Sequence, residues 1–231
     1  RAVYAMMNWW MDRGVDGFRM DVITLISKKV DEAEELPGVG GSAVSAGAAG
    51  PEGYSSPALF CQDGPRLDEF LAEMHREVFD GREGYLTVGE SPGITPERDE
   101  YITDPAHREL DMLFLFEHTD VDHGADGKWT VTPWKLTELK RAMGAQQKAV
   151  EKAGWATLFF NNHDQPRSVS RWGDTSTDGL RIRSAKALAL LMHMHRGTPY
   201  VYQGEELGMT NAGFTRLGQY RDLESINMYH Q

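Results

Sequence analysis

Gly17-Phe18-Arg19-Met20-Asp21-Val22 is the stretch on which the fold turns. It reads as a short β-strand that ends on a carboxylate. Two later stretches repeat the arrangement: Leu86-Thr87-Val88-Gly89-Glu90, and Phe160-Asn161-Asn162-His163-Asp164-Gln165-Pro166-Arg167. β/α barrels build their sites from side chains at the C-terminal ends of parallel strands. Three acids at three strand ends, one with Arg at i−2 and one with His at i−1, point to a barrel with an acid-based site.

Outward from these stretches, strands and helices alternate. Val3, Met6, Met7, Trp10 and Met11 recur at helical spacing and predict an amphipathic helix closed by Gly14. Residues 15–21, 85–90, 110–116, 155–161 and 198–203 read as strands. Residues 67–78, 136–150 and 180–195 read as helices, and 211–231 as a polar, irregular tail. Residues 36–65 are rich in Gly, Ala, Ser and Pro without an apolar period, and read as a loop or insertion. The acidic run 31–35 reads as a solvated helix end.

The alternation predicts a parallel sheet with right-handed crossovers. A doubly wound sheet would also fit, but the Gly-rich phosphate loop expected after its first strand is absent. The predicted fold class is therefore α/β: part of a (β/α)8 TIM barrel, about strands 4 to 8 with their helices, over residues 1–231. A closed barrel has eight strands. The chain starts at Arg1, inside a helical pattern, so about three βα units are expected upstream.

Composition narrows the function classes. With 231 residues, 40% hydrophobic and 26% charged, the chain has material for one core. Its net charge is −11 and no Lys/Arg-rich run occurs, which argues against a nucleic acid partner. No run of about 18 apolar residues predicts a membrane span. Cys61 is the only cysteine, so neither an internal disulfide nor a cysteine metal cluster is expected, in keeping with a cytoplasmic location.

The three acids suit glycoside chemistry. A retaining glycosidase needs two carboxyl groups about 5–5.5 Å apart. Asp21 suits the nucleophile, because Arg19 shares its strand face and favours a charged carboxylate. Glu90 suits the acid/base, with Gly89 leaving room beside a bound sugar. Asp164 and His163 can hydrogen-bond sugar hydroxyls. Taken singly, each motif has a plain structural reading: an ion pair, an exposed strand end, an Asx turn.

Together, 17–22, 87–90 and 161–164 resemble three regions of the α-amylase family, glycoside hydrolase family 13. Residues 1–28, 116–129, 162–173 and 197–211 resemble its oligo-1,6-glucosidase and dextran glucosidase group. The resemblance implies a retaining α-glucosidase with Asp21 as nucleophile, Glu90 as acid/base and Asp164 as transition-state stabiliser. Arg19, Val22, His163 and Arg167 are the implied substrate-binding residues. Val after the nucleophile resembles enzymes that prefer α-1,6 links. The acidic Thr119-Asp120-Val121-Asp122-His123 stands where sucrose isomerases carry an Arg-rich segment. Ser91 departs from the Met common after the acid/base.

The family's first conserved region, with an Asp and a His that clamp glucose, is not in this sequence, and this chain alone is expected to be inactive. No cofactor and no metal in this chain is implied; a calcium site would lie upstream. The implied partner is an oligosaccharide, with no nucleic acid or membrane, and the oligomeric state stays open. α-1,4-Glucosidase, phosphotrehalase and sucrose isomerase remain alternatives within the family. The alternative of another class is a non-catalytic, partner-binding relative. Among other residues, Trp10, Trp155, Met192 and Met194 read as core, and Trp172 as a candidate pocket wall. His193 and His195 do not share a helix face, and Glu205-Glu206 reads as structural.

Overall fold

The structure is a computed structural model that describes residues 1–30, 58–125 and 127–230. The acidic run 31–35 and most of the 36–65 stretch lie outside the described residues. Two compact units are present, each described by itself: Arg1–Leu158 with His193–Tyr200, and Phe159–Met192 with Val201–Gln231.

The first unit carries the parallel strands. β1 (Gly17–Met20), β2 (Leu86–Glu90) and β3 (Met112–Phe114) form one parallel sheet in that order. β6 (Thr157–Leu158) pairs in parallel with β7 (Thr198–Pro199). Thr157 Oγ1 donates to the Leu113 carbonyl at 2.8 Å, which sets β6 against β3. The two parallel groups follow one another in chain order, as successive strands of a (β/α)8 barrel do. The last two are shorter than the expected 155–161 and 198–203.

The helices cover one face of this sheet. α1 (Ala2–Met11) ends at Gly14, which takes φ +87° and donates to the Met11 carbonyl at 3.0 Å. Its core face is Tyr4, Met7 and Met11, not the whole expected stripe: Val3, Met6 and Trp10 are exposed. α3 (Leu67–Met74) continues into a π-helical turn, His75–Phe79, and buries Leu67, Leu71, Met74 and Val78. These four recur at helical spacing and pack with Phe18, Ile23, Leu110, Leu113 and Leu115 in one cluster. α5 (Leu136–Ala149) buries Leu139, Ala142 and Met143, and its Gln146 donates to the Thr157 carbonyl at 3.0 Å.

Some elements went unread in the sequence. α2 (Ala58–Cys61) lies inside the stretch read as loop, and α4 (Pro96–Thr103) opens with Thr95 capping the Arg98 N–H. A hairpin of β4 (His123–Gly124) and β5 (Gly127–Val131) follows the acidic 119–123 segment. In the second unit are α6 (Ser168–Trp172), most of α7 (Asp178–His193) and α8 (Leu223–His230). α8 corrects the irregular tail. Short elements such as these carry too little periodicity to stand out.

Core assignments also change. Trp155 is half-exposed, its indole N–H donating to Thr198 Oγ1 at 2.9 Å. Met192 is buried, but Met194 is 73% exposed. Trp172 is buried edge-on against Phe160 at 5.5 Å between ring centroids, so it is a packing residue and not a pocket wall. Among the described residues no helix is long and apolar enough to cross a membrane.

Candidate active site

The register of the sheet builds the site. β1 and β2 pair with Arg19 opposite Val88 and Met20 opposite Gly89, so residue 21 emerges beside Glu90. β2 and β3 pair with Val88 opposite Met112 and Glu90 opposite Phe114. Alternation then sorts the side chains into two faces. Phe18, Met20, Gly89 and Leu113 face the helices; Arg19, Val88, Glu90, Met112 and Phe114 face the other way.

This corrects the reading of Gly89. A Cβ there would stand 2.6 Å from Ile23 Cγ2, 2.8 Å from Leu113 Cδ2 and 3.0 Å from Leu110 Cδ1. Glycine at 89 makes room for the core under the sheet, not for a ligand above it.

Arg19 joins the two carboxylates. Its Nη1 makes a short contact to Asp21 Oδ1, and its Nη2 lies 3.1 Å from Glu90 Oε2. One guanidinium suits this, because its planar fork presents donors in two directions. The Val22 N–H adds a third tie, donating to Glu90 Oε2 at 3.1 Å. To point that way, Val22 adopts φ +37° and ψ +40°, a left-handed conformation costly for a β-branched residue. The sequence gives no sign of this bond, which needs the fold of the turn.

The two acids differ in setting. The Asp21 side chain is 73% exposed, whereas that of Glu90 is 11% exposed. Phe114 is the register partner of Glu90, and its ring meets Tyr200 edge-on at 4.7 Å. Ser91, fully buried, donates to the Phe114 carbonyl at 2.5 Å. Burial pushes the Tyr200 phenol up from its ordinary value. Phe114 and Tyr200 were missed in the sequence; counting register from the strand ends would have found Phe114. Chemically, the arrangement offers an open carboxylate beside a shielded one, with a cation between them.

The remaining predicted residues lie in the second unit. Asn161 is buried, its Nδ2 donating to Ser168 Oγ at 3.3 Å. Asn162 Oδ1 accepts from the Asp164 N–H at 2.8 Å, an Asx turn that presents His163 and Asp164. His163 Nε2 lies 3.2 Å from Asp164 Oδ2, and both side chains are more than half exposed. Arg167 is engaged within the unit. Its guanidinium lies 4.7 Å from the Tyr202 ring centre and donates to the Gln203 carbonyl, and its N–H donates to Asn211 Oδ1 at 2.8 Å. Glu205 and Glu206 accept from the N–H groups of Tyr202 and Gly204, so they brace their own turn.

The chain is similar to known proteins along nearly its whole length. The alpha-amylase catalytic domain pattern fits residues 1–228. The chain is 50% identical to an oligo-1,6-glucosidase of Parageobacillus thermoglucosidasius over 232 residues, which is 100% of this chain and 39% of that protein. It is 46% identical to a trehalose-6-phosphate hydrolase of Bacillus subtilis, over 99% of this chain and 37% of that one. The crystal structure of Bacillus licheniformis trehalose-6-phosphate hydrolase superposes with a TM-score of 0.83 at 43% identity, covering 99% of this chain and 38% of its own. The chain thus spans about two-fifths of the length of these relatives. It belongs to the alpha-amylase family, within whose catalytic domain it lies.

Proposed function

We propose that the protein carrying this chain is a retaining α-glucosidase that releases glucose from the non-reducing end of α-1,6-linked isomalto-oligosaccharides. The observation that carries this reading is the Arg19 guanidinium shared by Asp21 and Glu90 at the ends of adjacent strands. The oligo-1,6-glucosidases at 44–50% identity, together with Val22, support the linkage.

Asp21, open to solvent, attacks the anomeric carbon. Glu90 protonates the departing glycosidic oxygen, then takes a proton from the water that releases the sugar. Arg19 and the Val22 N–H both hold Oε2 of Glu90, which leaves Oε1 to carry the exchanging proton. Asp164, by its motif, stabilises the transition state, and His163 and Arg167 bind substrate. No cofactor or metal takes part in this reaction, and its expected compartment is the cytoplasm.

The test is glucose release by the full-length protein from isomaltose, maltose, sucrose and trehalose 6-phosphate at equal concentration. Isomaltose is expected to dominate, and Asp21→Asn to abolish turnover while the protein stays folded. Preference for trehalose 6-phosphate or maltose keeps the mechanism and moves the specificity. An active Asp21→Asn variant overturns the nucleophile, and no release from any substrate favours a partner-binding role.

A further inference from the structure

Residues 62–66 tie together the two loops that follow the site carboxylates. The Asp63 N–H donates to the Thr24 carbonyl at 3.1 Å, and the Arg66 N–H to Ser27 Oγ at 2.9 Å. Thr24 and Ser27 lie in the loop after Asp21, and both are buried. A Cβ on Gly64 would stand 2.1 Å from the Ser27 carbonyl oxygen, so the two backbones meet as closely as only glycine allows. On the other side, Gln62 Nε2 donates at 2.7 Å to the carbonyl of Gly93, three residues after Glu90. A Cβ on Gly93 would strike that same Gln62 side chain.

Asp63 makes this bridge from a left-handed backbone, φ +45°, which needs outside support. Arg98 of α4 supplies it. Its Nε reaches both Asp63 carboxylate oxygens, at 3.0 and 3.1 Å, and its Nη2 grips Asp68 in the first turn of α3. The Arg98 side chain is only 21% exposed, so solvent and salt screen this pairing less than a surface one.

We propose that Arg98 is a positioning residue for the Asp21–Glu90 pair: by fixing Asp63 it holds residues 62–66 as a bridge between the loop after Asp21 and the loop after Glu90. This rests on the reading of those two acids as the reacting groups. Retaining chemistry needs them about 5–5.5 Å apart, and a misplacement of about 1 Å can cost about a hundredfold in rate. A bridge that holds both loops at once acts on that separation without touching substrate.

The experiment compares the full-length protein with Arg98→Met, Arg98→Lys and Gln62→Ala, measuring kcat, KM and amide hydrogen exchange. Arg98→Met is expected to lower kcat about ten- to a hundredfold. KM should stay within about twofold, because no substrate contact is lost. Exchange should quicken in 22–27 and 91–95 together. Lysine keeps the charge without the fork and restores part of kcat. A folded Arg98→Met protein with unchanged kcat, or with faster exchange confined to 62–68, overturns the proposal. Should Arg98→Met not fold, Gln62→Ala decides: slower turnover with faster exchange at 91–95 supports the bridge, and no change in either overturns it. If the unsubstituted protein turns over no glucoside, the functional reading fails, and exchange alone then decides whether the bridge couples the loops.

Discussion

Gly89→Ala places a methyl group where the sheet rests on its core. Carbon atoms pack best at about 3.5–4.0 Å, and the new Cβ would stand 2.6 Å from Ile23 Cγ2 and 2.8 Å from Leu113 Cδ2. Relief of the tighter contact needs a shift of about 0.9 Å, the difference between about 3.5 Å and 2.6 Å. The neighbours have little room to give. Ile23, Leu110 and Leu113 are all buried in one cluster, and Ile23 follows directly on the constrained Val22 turn. Overpacking of this kind costs about 1–3 kcal/mol.

The shift also has a functional consequence, because the next residue is Glu90. If β2 moves and the core does not, the carboxylate moves with it, and about 0.9 Å at a reacting group is worth up to about a hundredfold in rate. Urea unfolding and kcat, measured on the full-length protein and its Gly89→Ala variant, read the two effects separately. A variant with stability within about 0.5 kcal/mol of the parent and full kcat would refute the placement of this position against the core.

Arg19→Lys should lower kcat by roughly ten- to a hundredfold, since one ammonium cannot hold Asp21 and Glu90 in two directions as the fork does; unchanged kinetics would remove the guanidinium from the site's geometry. Away from the site, burial pushes the Asp99 carboxyl up to about 7, and burial, then Asp68 and Asp63, pushes Glu109 up to about 8. Both Asp99 oxygens and Glu109 Oε2 lack hydrogen-bond partners among the described residues. The folded state then holds more protons than the unfolded chain, whose carboxyls titrate near about 4. Their contribution is fully present below about pH 4 and is lost as pH rises through about 7–8. Asp99→Asn and Glu109→Gln should flatten that slope and raise stability at pH 8, each by on the order of 1–4 kcal/mol; denaturation curves at pH 5 and 8 with parallel slopes in parent and variants would count against it.

Much of the fold was legible because it is written in local pattern. Residues 67–78 carry an apolar stripe that any helix would bury, and 86–90 ends an extended run on an acid. The α1 stripe was half misread, since period alone does not say which edge of a helix meets the core. The hairpin at 123–131 and the helix Leu223–His230 were missed because neither is long enough to show a period. Composition hid the short helix Ala58–Cys61 inside the 36–65 stretch. Farther along, Gly64 marks a close backbone approach to Ser27.

The chain's residue types and spacings alone decided that parallel strands would alternate with helices and that Asp21 and Glu90 would stand at strand ends, since side-chain alternation is a property of each strand by itself. Tertiary structure decided the rest. It turned Gly89 toward the core, set one guanidinium between Asp21 and Glu90, and bent Val22 so that its N–H meets a carboxylate 68 positions away. It also brought Gln62 to Gly93 and Arg98 to Asp63. Each of these depends on which distant residues pack together, and that depends on the core as a whole rather than on any window of sequence.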